Sequence, residues 1–345
     1  RDEKVMVEFV SANPTGPMHM GNARGGALGD CLAAVLDKAG YNAWREFYVN
    51  DAGNQIEKFG CSLEARYLQI FKGDEIEFPE DGYQGEDIKD LAKEYADLNG
   101  DSLVNVSAEE RKKALVDFAL PKNIKKMQAD MEKYKIFYDK WFFESELHKS
   151  GAVKAVVDLL TKKGLTYEKE GAVWYKNKEV LTQKLLKEGK SQKYIDNLEL
   201  KDDVLIRQNG NPTYFTADIA YHKNKFDRGF TTLIDVWGAD HHGHVMRMKG
   251  AMDAIGYDGD KLNVVLMQLV KLVKDGELVK MSKRTGKAIQ LGDLLDEVPV
   301  DSARFLFNTK EANTQMDFDL DLAVSQDNQN PVYYVQYAHA RICSI

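Results

Sequence analysis

The sequence predicts an α/β fold in which a parallel β-sheet is split into two halves by a largely helical insertion. Residues 5–10 are almost all apolar, which is typical of a strand buried on both faces of a parallel sheet. Apolar residues then recur at helical spacing over residues 23–36, and residues 44–49 have the composition of a second strand. A strand, a helix and a strand in this order form a βαβ unit, whose strands are parallel.

The middle of the chain interrupts this pattern. Residues 61–203 are rich in Lys and Glu and carry helical periodicity, with a small β element expected near residues 167–175. At residue 204 the α/β pattern resumes with an Asn-Gly turn, which predicts a hairpin whose second strand covers residues 213–216. We therefore divide the chain into the first half of the sheet domain (1–60), the insertion (61–203), the second half (204–290), a helical connective region (291–329) and the start of a further helical domain (330–345).

Composition and length narrow the class of protein. A chain of 345 residues predicts two or more compact units, and 30% charged residues are ordinary for a soluble protein. No apolar run of about eighteen residues occurs, so we expect no membrane span. Three widely spaced cysteines exclude a disulfide framework and a C-x-x-C knuckle, which favours a reducing, cytoplasmic location. Because the chain opens without Met or an apolar leader, we expect a fragment or a processed product.

Residues 12–22 form a Pro- and Gly-rich loop between the first strand and the first helix. Free N–H groups and the helix dipole favour phosphate at such a place, and Gly21 would let a nucleotide approach the backbone. His19 and Asn22 are three residues apart, so both can donate from one side of the first helical turn. A loop of this kind is more often a plain connection, so the motif alone is weak.

Residues 280–286 contain three cations and two hydroxyls in a short stretch. Such a loop would neutralise a triphosphate as charge develops on it. A solvated basic turn is an equally good interpretation of this stretch in isolation. The two motifs in this order, at opposite ends of a split α/β fold, are much more specific than either one.

Together the two motifs resemble the signatures of class I aminoacyl-tRNA synthetases, and the chain is most similar to the arginyl-tRNA synthetases. The similar segments are residues 7–17, 48–55, 214–222, 237–244 and 330–341. Asn22 stands where the first signature usually has His, and Arg284 stands where the second has Ser. Both departures keep a hydrogen-bond donor, so they put the detail of transition-state stabilisation in doubt and not the activity.

The resemblance implies a split Rossmann-like, nucleotide-binding catalytic domain that ligates L-arginine to tRNA(Arg). An arginyl-adenylate would form from ATP with release of pyrophosphate, and AMP would leave when tRNA is charged. Mg²⁺ would accompany ATP without a dedicated protein metal site, and we expect a cytoplasmic monomer. The implied catalytic residues are His19, Asn22, Lys280 and Lys283. The implied ATP-binding residues are Pro14, Thr15, Gly16, His19, Gly21, Asn22, Lys280, Met281, Ser282, Lys283 and Arg284.

An arginine substrate carries a planar guanidinium, which favours carboxylate acceptors. The resemblance implies an arginine site formed by Glu8, Ser11, Asn13, Tyr214, Asp218, Asp240 and His241. Glu8 at the end of an apolar strand could instead pair with a Lys or Arg of the protein. Asp218 could be a plain helix N-terminal residue, and Tyr214 a core aromatic.

Other polar residues leave several interpretations open. His241, His242 and His244 suggest zinc only weakly, because no fourth ligand is near in sequence. Asn50, Asp51 and Gln55 are as consistent with helix capping as with substrate contact. A non-catalytic arginine- or RNA-binding paralogue and a small nucleotidyltransferase are the competing function classes. The net charge of −8 disfavours broad RNA binding, so RNA contacts would fall on the Lys-rich stretches 122–126 and 184–193.

Overall fold

The computed structural model describes residues 3–279 and 289–345. Its helices and strands are, in chain order, β1 (Lys4–Glu8), α1 (Gly21–Lys38), β2 (Asn42–Val49), α2 (Asn54–Lys72), α3 (Glu86–Asn99), α4 (Ala108–Lys133), β3 (Lys140–Phe143), α5 (Glu144–Lys149), α6 (Ala152–Lys162), β4 (Thr166–Lys169), β5 (Ala172–Tyr175), α7 (Asn177–Lys187), α8 (Gln192–Asp196), β6 (Asp203–Ile206), α9 (Tyr214–Asp227), β7 (Thr232–Gly238), α10 (His242–Ile255), β8 (Leu262–Met267), β9 (Val270–Lys274), β10 (Glu277–Val279), α11 (Leu291–Glu297), α12 (Val300–Phe307), β11 (Met316–Asp319), α13 (Leu320–Val324) and α14 (Pro331–Cys343).

The central sheet is parallel, with strand order β3-β2-β1-β7-β8. Side chains of β1 alternate between two hydrophobic cores, with Val7 in one and Met6 in the other. Helices α1, α4, α11 and α12 contribute to the first core, and α6, α9 and α10 to the second. Burial on both faces explains the continuous apolar run at residues 5–10, and the predicted α/β class with a parallel sheet is confirmed.

Strand β3 is a difference from the domain division drawn from the sequence, because it lies inside residues 61–203 and yet extends the central sheet. It is held there by aromatic packing: the rings of Phe47 and Trp141 stack with centroids 4.2 Å apart. A four-residue strand within a Lys- and Glu-rich segment gives too short a pattern to be recognised. The segment expected to be a mainly helical insertion therefore supplies an edge strand of the central sheet.

The rest of the inserted segment has a core of its own. Helices α2, α3 and α4 bury Phe59, Tyr67, Ile88 and Leu115 against one another. The predicted β element near residues 167–175 is present as the antiparallel pair β4–β5, which β6 joins. No described helix is long and apolar enough to cross a bilayer.

The sequence predicts two hairpins, one at the Asn-Gly turn and one at Asp275-Gly276 between residues 272–274 and 277–279, and their outcomes differ. The second strand expected at residues 213–216 is wrong, because helix α9 begins at Tyr214. Thr213 donates from Oγ1 to the Val204 carbonyl at 2.7 Å, which holds the chain beside β6 and leaves the next residues free to start the helix. The hairpin β9–β10 turns at Asp275 and Gly276, whose φ angles of 52° and 76° fit a two-residue hairpin turn.

Helix α1 lies unusually close to the sheet at Gly29. A Cβ atom at this position would lie 2.1 Å from Cγ of Phe9, which is closer than real atoms approach. The absent side chain lets the helix that follows the first motif pack directly on the strand end. This contact fixes the position of the loop between β1 and α1.

Candidate active site

The chain turns sharply where β1 ends. Val10 and Ser11 have φ angles of 72° and 44°, a left-handed conformation that is rare for a β-branched residue such as valine. The turn directs Ser11 back toward the strand, so its Oγ donates to Glu8 Oε1 at 2.8 Å. The same Oγ accepts from the backbone N–H of Tyr48 at 3.1 Å. A locally strained backbone therefore fixes the orientation of the Glu8 carboxylate.

The first motif is folded around its own polar residues. The backbone N–H of His19 donates to Oδ1 of Asn22 at 3.0 Å, and α1 begins at Gly21 between them. His19 also forms an isolated bridge with Gln290, which ties the loop to the segment after residue 288. Open space surrounds the position of a Cβ at Gly21, as close approach of a ligand requires.

A cleft runs along this motif. Its walls include residues from the loop after β1, the turn before α3, and two residues from other parts of the chain: Val10, Ser11, Ala12, Asn13, Thr15, Gly16, Pro17, Met18, His19, Asn22, Tyr83, Gln84, Gly85, Glu86, Asp87, His241 and Gln290. A second hollow borders Gly21, Gly25, Asp240 and Met267. Of the described residues expected to bind ATP, Pro14 is absent from both walls. Its carbonyl instead accepts from Nδ2 of the buried Asn123 at 2.9 Å, so it joins the loop to α4.

Lys280, Met281, Ser282, Lys283 and Arg284 lie outside the described residues. Their expected role in binding and activating ATP stays a prediction.

A buried ion cluster lies behind the end of β1. The Lys225 ammonium, fully buried on α9, contacts Glu8 Oε2 at 2.5 Å and Asp235 Oδ1 at 2.8 Å. His222 places Nε2 2.7 Å from the other oxygen of Asp235 and Nδ1 2.7 Å from the Asp218 carbonyl oxygen. Glu8 and Asp235 are neighbours in register on β1 and β7. The structure thus shows the alternative left open for Glu8, pairing with a lysine of the protein.

The two carboxylates of this cluster respond differently to burial. Burial opposes ionisation of Asp235, yet Lys225 and His222 outweigh it and lower the pKa of Asp235 to about 2. Burial outweighs the attraction of Lys225 for Glu8, so the pKa of Glu8 is raised. Its two carboxylate neighbours raise the pKa of Lys225 in spite of its burial. Lys225 therefore carries its charge at neutral pH.

Glu144 lines a cleft and is not among the residues that the sequence analysis singled out. It is buried at the start of α5, where Oε2 accepts from the Tyr48 hydroxyl at 2.7 Å and Oε1 lies 3.2 Å from His148 Nε2. Burial raises the pKa of the Glu144 carboxyl, and the negative charge of Asp218 adds to this rise. Within the described residues no Lys or Arg forms an ion pair with Glu144. Glu144 directly follows strand β3, which brings it to the edge of the sheet. This four-residue strand could not be recognised in the sequence.

Tyr214 and Asp218 lie on the first turns of α9. Tyr214 is 44% exposed and lines a cleft together with Glu144 and His148, so it is not a core aromatic. The Asp218 side chain is 36% exposed, and its Oδ2 lies 3.0 Å from Nε2 of His244. Burial and the charges of Glu144 and Asp218 all raise the pKa of Tyr48. Glu144 and Tyr214 therefore line one cleft, and the charges of Glu144 and Asp218 both act on the nearby Tyr48.

The histidines after β7 do not converge on one point. His244 faces Asp218, whereas His241 Nδ1 lies 3.1 Å from Oδ1 of the exposed Asp240. Trp237 lies between them, with ring centroids 6.2 Å from His241 and 5.4 Å from His244. His241 borders the cleft along the first motif, and Asp240 borders the neighbouring hollow.

The polar residues after β2 have structural partners. Asp51 Oδ1 accepts from the backbone N–H of Ser145 at 2.8 Å, and Gln55 Nε2 donates to the Asn50 carbonyl at 2.9 Å. With its amide turned to donate, Asn50 lies 3.0 Å from Glu144 Oε2. Asp51 thus caps the start of α5, in line with the capping interpretation, while Asn50 lies next to the missed carboxylate.

The sheet is parallel, and the loop after its first strand leads into a helix N-terminus that favours anions. This is the arrangement of a class I synthetase core. The chain belongs to the family described as tRNA synthetases class I (R), catalytic domain, whose model matches residues 1–342. The resemblance found in the sequence is thereby confirmed.

Individual relatives agree with the family. The chain is 60% identical over 345 residues to the arginine–tRNA ligase of Ruminiclostridium cellulolyticum, which covers 99% of this chain and 58% of that protein. It is 58% identical over 347 residues to the arginine–tRNA ligase of Acetivibrio thermocellus, covering 100% and 58%. A solved arginyl-tRNA synthetase structure from Campylobacter jejuni superposes with a TM-score of 0.83 at 38% identity, over 99% of this chain and 70% of that one. The chain spans 58% of the length of these two curated relatives.

Proposed function

We propose that this chain is the part of an arginine–tRNA ligase that binds ATP and L-arginine and forms arginyl-adenylate. The observation that carries the proposal is the pair Glu144 and Asp218. The two charges are close enough that Asp218 raises the pKa of Glu144, and among the described residues each carboxylate has only a histidine as ion-pair partner. The guanidinium of a bound arginine would supply a cationic partner for both carboxylates.

Recognition of arginine rests on charge and shape together. Asp218 and Glu144 would accept the guanidinium N–H groups, and Tyr214 would lie along the apolar part of the side chain. Ser11, Asn13, Asp240 and His241 would contact the α-amino and carboxylate groups, since the first, second and fourth line the cleft of the first motif and Asp240 lines the hollow beside it. Glu8 would border the same site through the carboxylate oxygen that Ser11 orients.

ATP would bind along the cleft of the first motif. The start of α1 and the side chains of His19 and Asn22 would face its phosphates, with Thr15, Gly16 and Gly21 leaving room for them. Pro14 would act through the loop it joins to α4. Lys280, Ser282, Lys283 and Arg284 would neutralise the leaving pyrophosphate, with Met281 in the same loop. Mg²⁺ would accompany ATP and offset the negative charge of its phosphates.

The chemistry proceeds by two displacements. An arginine carboxylate oxygen attacks the α-phosphorus of ATP, the bond to the β-phosphate oxygen breaks, and pyrophosphate leaves. A ribose hydroxyl at the 3′ end of tRNA(Arg) then attacks the arginyl carbonyl carbon, and AMP leaves with the electrons of the acyl–phosphate bond. His19 and Asn22 would stabilise the charge that grows on the α-phosphate in the first step.

The partners follow from this chemistry: tRNA(Arg), L-arginine and ATP, with the protein acting as a monomer in the cytoplasm. The Lys-rich stretches of the insertion remain a proposal for tRNA contact. Two of their lysines are engaged within the chain, since Lys122 pairs with Glu94 at 2.8 Å and Lys184 pairs with Asp253 at 2.7 Å. The remaining lysines of these stretches would then make the phosphate contacts.

Calorimetry and pyrophosphate exchange test the proposal. We expect the chain to bind arginine at least tenfold more tightly than citrulline, whose urea group has the shape of a guanidinium without its charge. Exchange of labelled pyrophosphate into ATP should require arginine, and adding tRNA(Arg) should increase it. Equal binding of the two amino acids would reject the arginine site. ATP turnover that ignores arginine would favour a nucleotidyltransferase, and arginine binding without exchange under any condition would favour the non-catalytic alternative.

A further inference from the structure

Arg24 is a fully buried cation on the first turn of α1, two residues after Asn22. No carboxylate within residues 3–279 and 289–345 forms an ion pair with its guanidinium. Instead Nη1 donates to the carbonyls of Gln268 at 3.0 Å and Thr314 at 2.9 Å, and Nη2 donates to the carbonyl of Glu311 at 2.8 Å. Burial lowers the pKa of this guanidinium, and three carbonyls hold it in place.

A buried guanidinium held by carbonyls alone carries a large desolvation cost. Its Nε atom is buried without a hydrogen-bond partner, and an apolar side chain of similar size would fill the same space without desolvating a charge. What the guanidinium adds is geometry, because its planar fork of donors fixes several acceptors at once. Arg24 therefore constrains the chain segments that carry these carbonyls.

The segments that Arg24 holds lead into the three-stranded sheet β10-β9-β11. Gln268 directly precedes β9, and Glu311 and Thr314 lie in the loop before β11. The backbone N–H of Gln268 donates to the Ala312 carbonyl at 2.8 Å, and β9 pairs with β11. The two segments thus form one unit, and Arg24 ties helix α1 to it.

The parts of the chain that Arg24 joins both line the hollow beside the first motif. Gly21, Asn22 and Gly25 of α1 contribute to its wall together with residues 267–270. The two sets are in contact at Gly25, where a Cβ atom would lie 3.5 Å from Cε of Met267. Asn22 also lines the cleft along the first motif, so the hollow and the cleft share a wall residue. A change in the spacing of these parts would alter the site in which Asn22 acts.

We propose that Arg24 is a positioning residue for ATP: it fixes the spacing between α1 and residues 267–270, so that the hollow and the first motif keep one geometry. This inference rests on the proposed function, because that function places ATP along the first motif. Arg24 is fully buried and lines neither cavity, so it acts without touching the nucleotide. The cleft at Glu144 and Tyr214, which would hold the guanidinium of the substrate, is lined neither by α1 nor by residues 267–270.

Two substitutions separate the charge, the size and the geometry of this side chain. Arg24→Lys keeps the charge but offers a single nitrogen, which cannot hold three carbonyls as a planar fork does. Arg24→Met keeps much of the length of the side chain and removes the buried charge. We expect both variants to bind a non-hydrolysable ATP analogue with Mg²⁺ at least tenfold more weakly, because the walls of the site lose their fixed spacing. Calorimetry should show arginine affinity within about threefold of the parent, since the cleft for its guanidinium is unchanged.

Arg111→Lys is the matched control. Arg111 is a buried arginine of α4 that lines neither the cleft nor the hollow. It belongs to the core of the inserted helices, where it pairs with Glu64 and likewise donates to three carbonyls, those of Leu103, Val104 and Val106. Both lysine variants should unfold at lower urea than the parent, because each loses bonds to buried carbonyls. The control should nevertheless bind the ATP analogue like the parent.

ATP affinity equal to that of the parent in either Arg24 variant would overturn the inference. So would an equal loss of ATP and arginine affinity, or a loss in Arg111→Lys as large as that in Arg24→Lys, because each would make Arg24 a purely structural residue. Circular dichroism and urea unfolding show which variants are folded, and if only one Arg24 variant folds, that variant decides the question. A parent chain that does not bind the ATP analogue would instead reject the proposed function, so the two failures are distinguishable.

Discussion

The backbone N–H of His19 donates to the side-chain oxygen of Asn22 across the start of α1. This bond occupies the oxygen of the amide and leaves its NH₂ group as the donor for a ligand. A neutral histidine at position 22 would also offer one acceptor and one donor, but from two nitrogens of a larger ring. The Asn22 side chain therefore stabilises the conformation of the motif through its oxygen and keeps its NH₂ group available as a donor.

Asn22→Asp separates these two roles. The carboxylate keeps the acceptor for His19 but replaces the donor with a negative charge near the expected phosphates. We expect ATP affinity to fall at least tenfold, about 1.4 kcal/mol, while the free energy of unfolding changes by less than about 0.5 kcal/mol. Equilibrium binding of a non-hydrolysable ATP analogue checks this. Unchanged affinity would move the phosphates away from Asn22.

Glu144→Gln tests the carboxylate that the sequence analysis missed. We expect arginine binding to weaken by about 2–4 kcal/mol, because a desolvated guanidinium would lose one charged acceptor. Glu146→Gln, on the same short helix but exposed, is the matched control and should bind arginine like the parent. Calorimetric titration with arginine measures both. Equal affinities for the two variants would remove Glu144 from the arginine site.

Asp235→Asn should destabilise the fold by about 3–5 kcal/mol, because the buried Lys225 loses a charged partner. The pKa of Asp235 is lowered from 3.8 to about 2, so its stabilisation is complete above about pH 4 and is lost as the pH falls toward 2. The raised pKa of Glu8 has the opposite effect on the free energy of unfolding, and it does so at higher pH. Urea unfolding at several pH values should show the gap between parent and variant closing below pH 4.

Asp158→Asn is the control for that experiment. Asp158 pairs with Lys154 on the surface, and such a pair contributes about 0–1 kcal/mol. A loss from Asp235→Asn as small as this one would show that the ion cluster does not stabilise the fold.

Gly29→Ala should unfold at lower urea than the parent, with a loss of at least about 1–3 kcal/mol. The added methyl would collide with Phe9, and neither helix nor strand can move without opening the core. Gly21→Ala, eight positions earlier on the same helix, adds its methyl in open space. It should leave the midpoint of unfolding almost unchanged, and any effect should appear in ATP binding.

Lys283→Ala should lower the rate of pyrophosphate exchange by roughly 10²–10³ and leave arginine binding almost intact. Lys283 would act on the charge that develops during the reaction and not on bound arginine. Exchange kinetics and calorimetry together check this. A raised KM for arginine at unchanged turnover would place the loop outside the chemistry.

Much of the architecture could be predicted from local sequence patterns. The apolar run at residues 5–10, the helical period after it and the Asp-Gly turn at 275–276 each reflect a physical demand that acts over a few neighbouring residues. The strand predicted at 213–216 is absent, and a helix begins there instead. At this point the Thr213 hydroxyl, and not a strand ladder, bonds to the Val204 carbonyl. Residue propensities for strand do not include a side-chain hydrogen bond of this kind.

The polar cluster at the site could be predicted only in part. Glu8 and Asp218 stand out because each is placed at a strand or helix end, but their partners lie far away in sequence. Lys225 is 217 residues from Glu8, and no periodicity links them. Glu144 was hidden for a similar reason, since only the pairing of β3 with β2 brings it beside Tyr48.

Strand β3 also limits how this protein can be divided. A shortened chain that joined β2 to β6 directly would discard the sheet's edge strand, the carboxylate of Glu144 and the turn at residues 83–87 that forms one wall of the cleft. The inserted segment is therefore not a removable module. A shorter version of this protein would have to keep both residues 83–87 and residues 140–149.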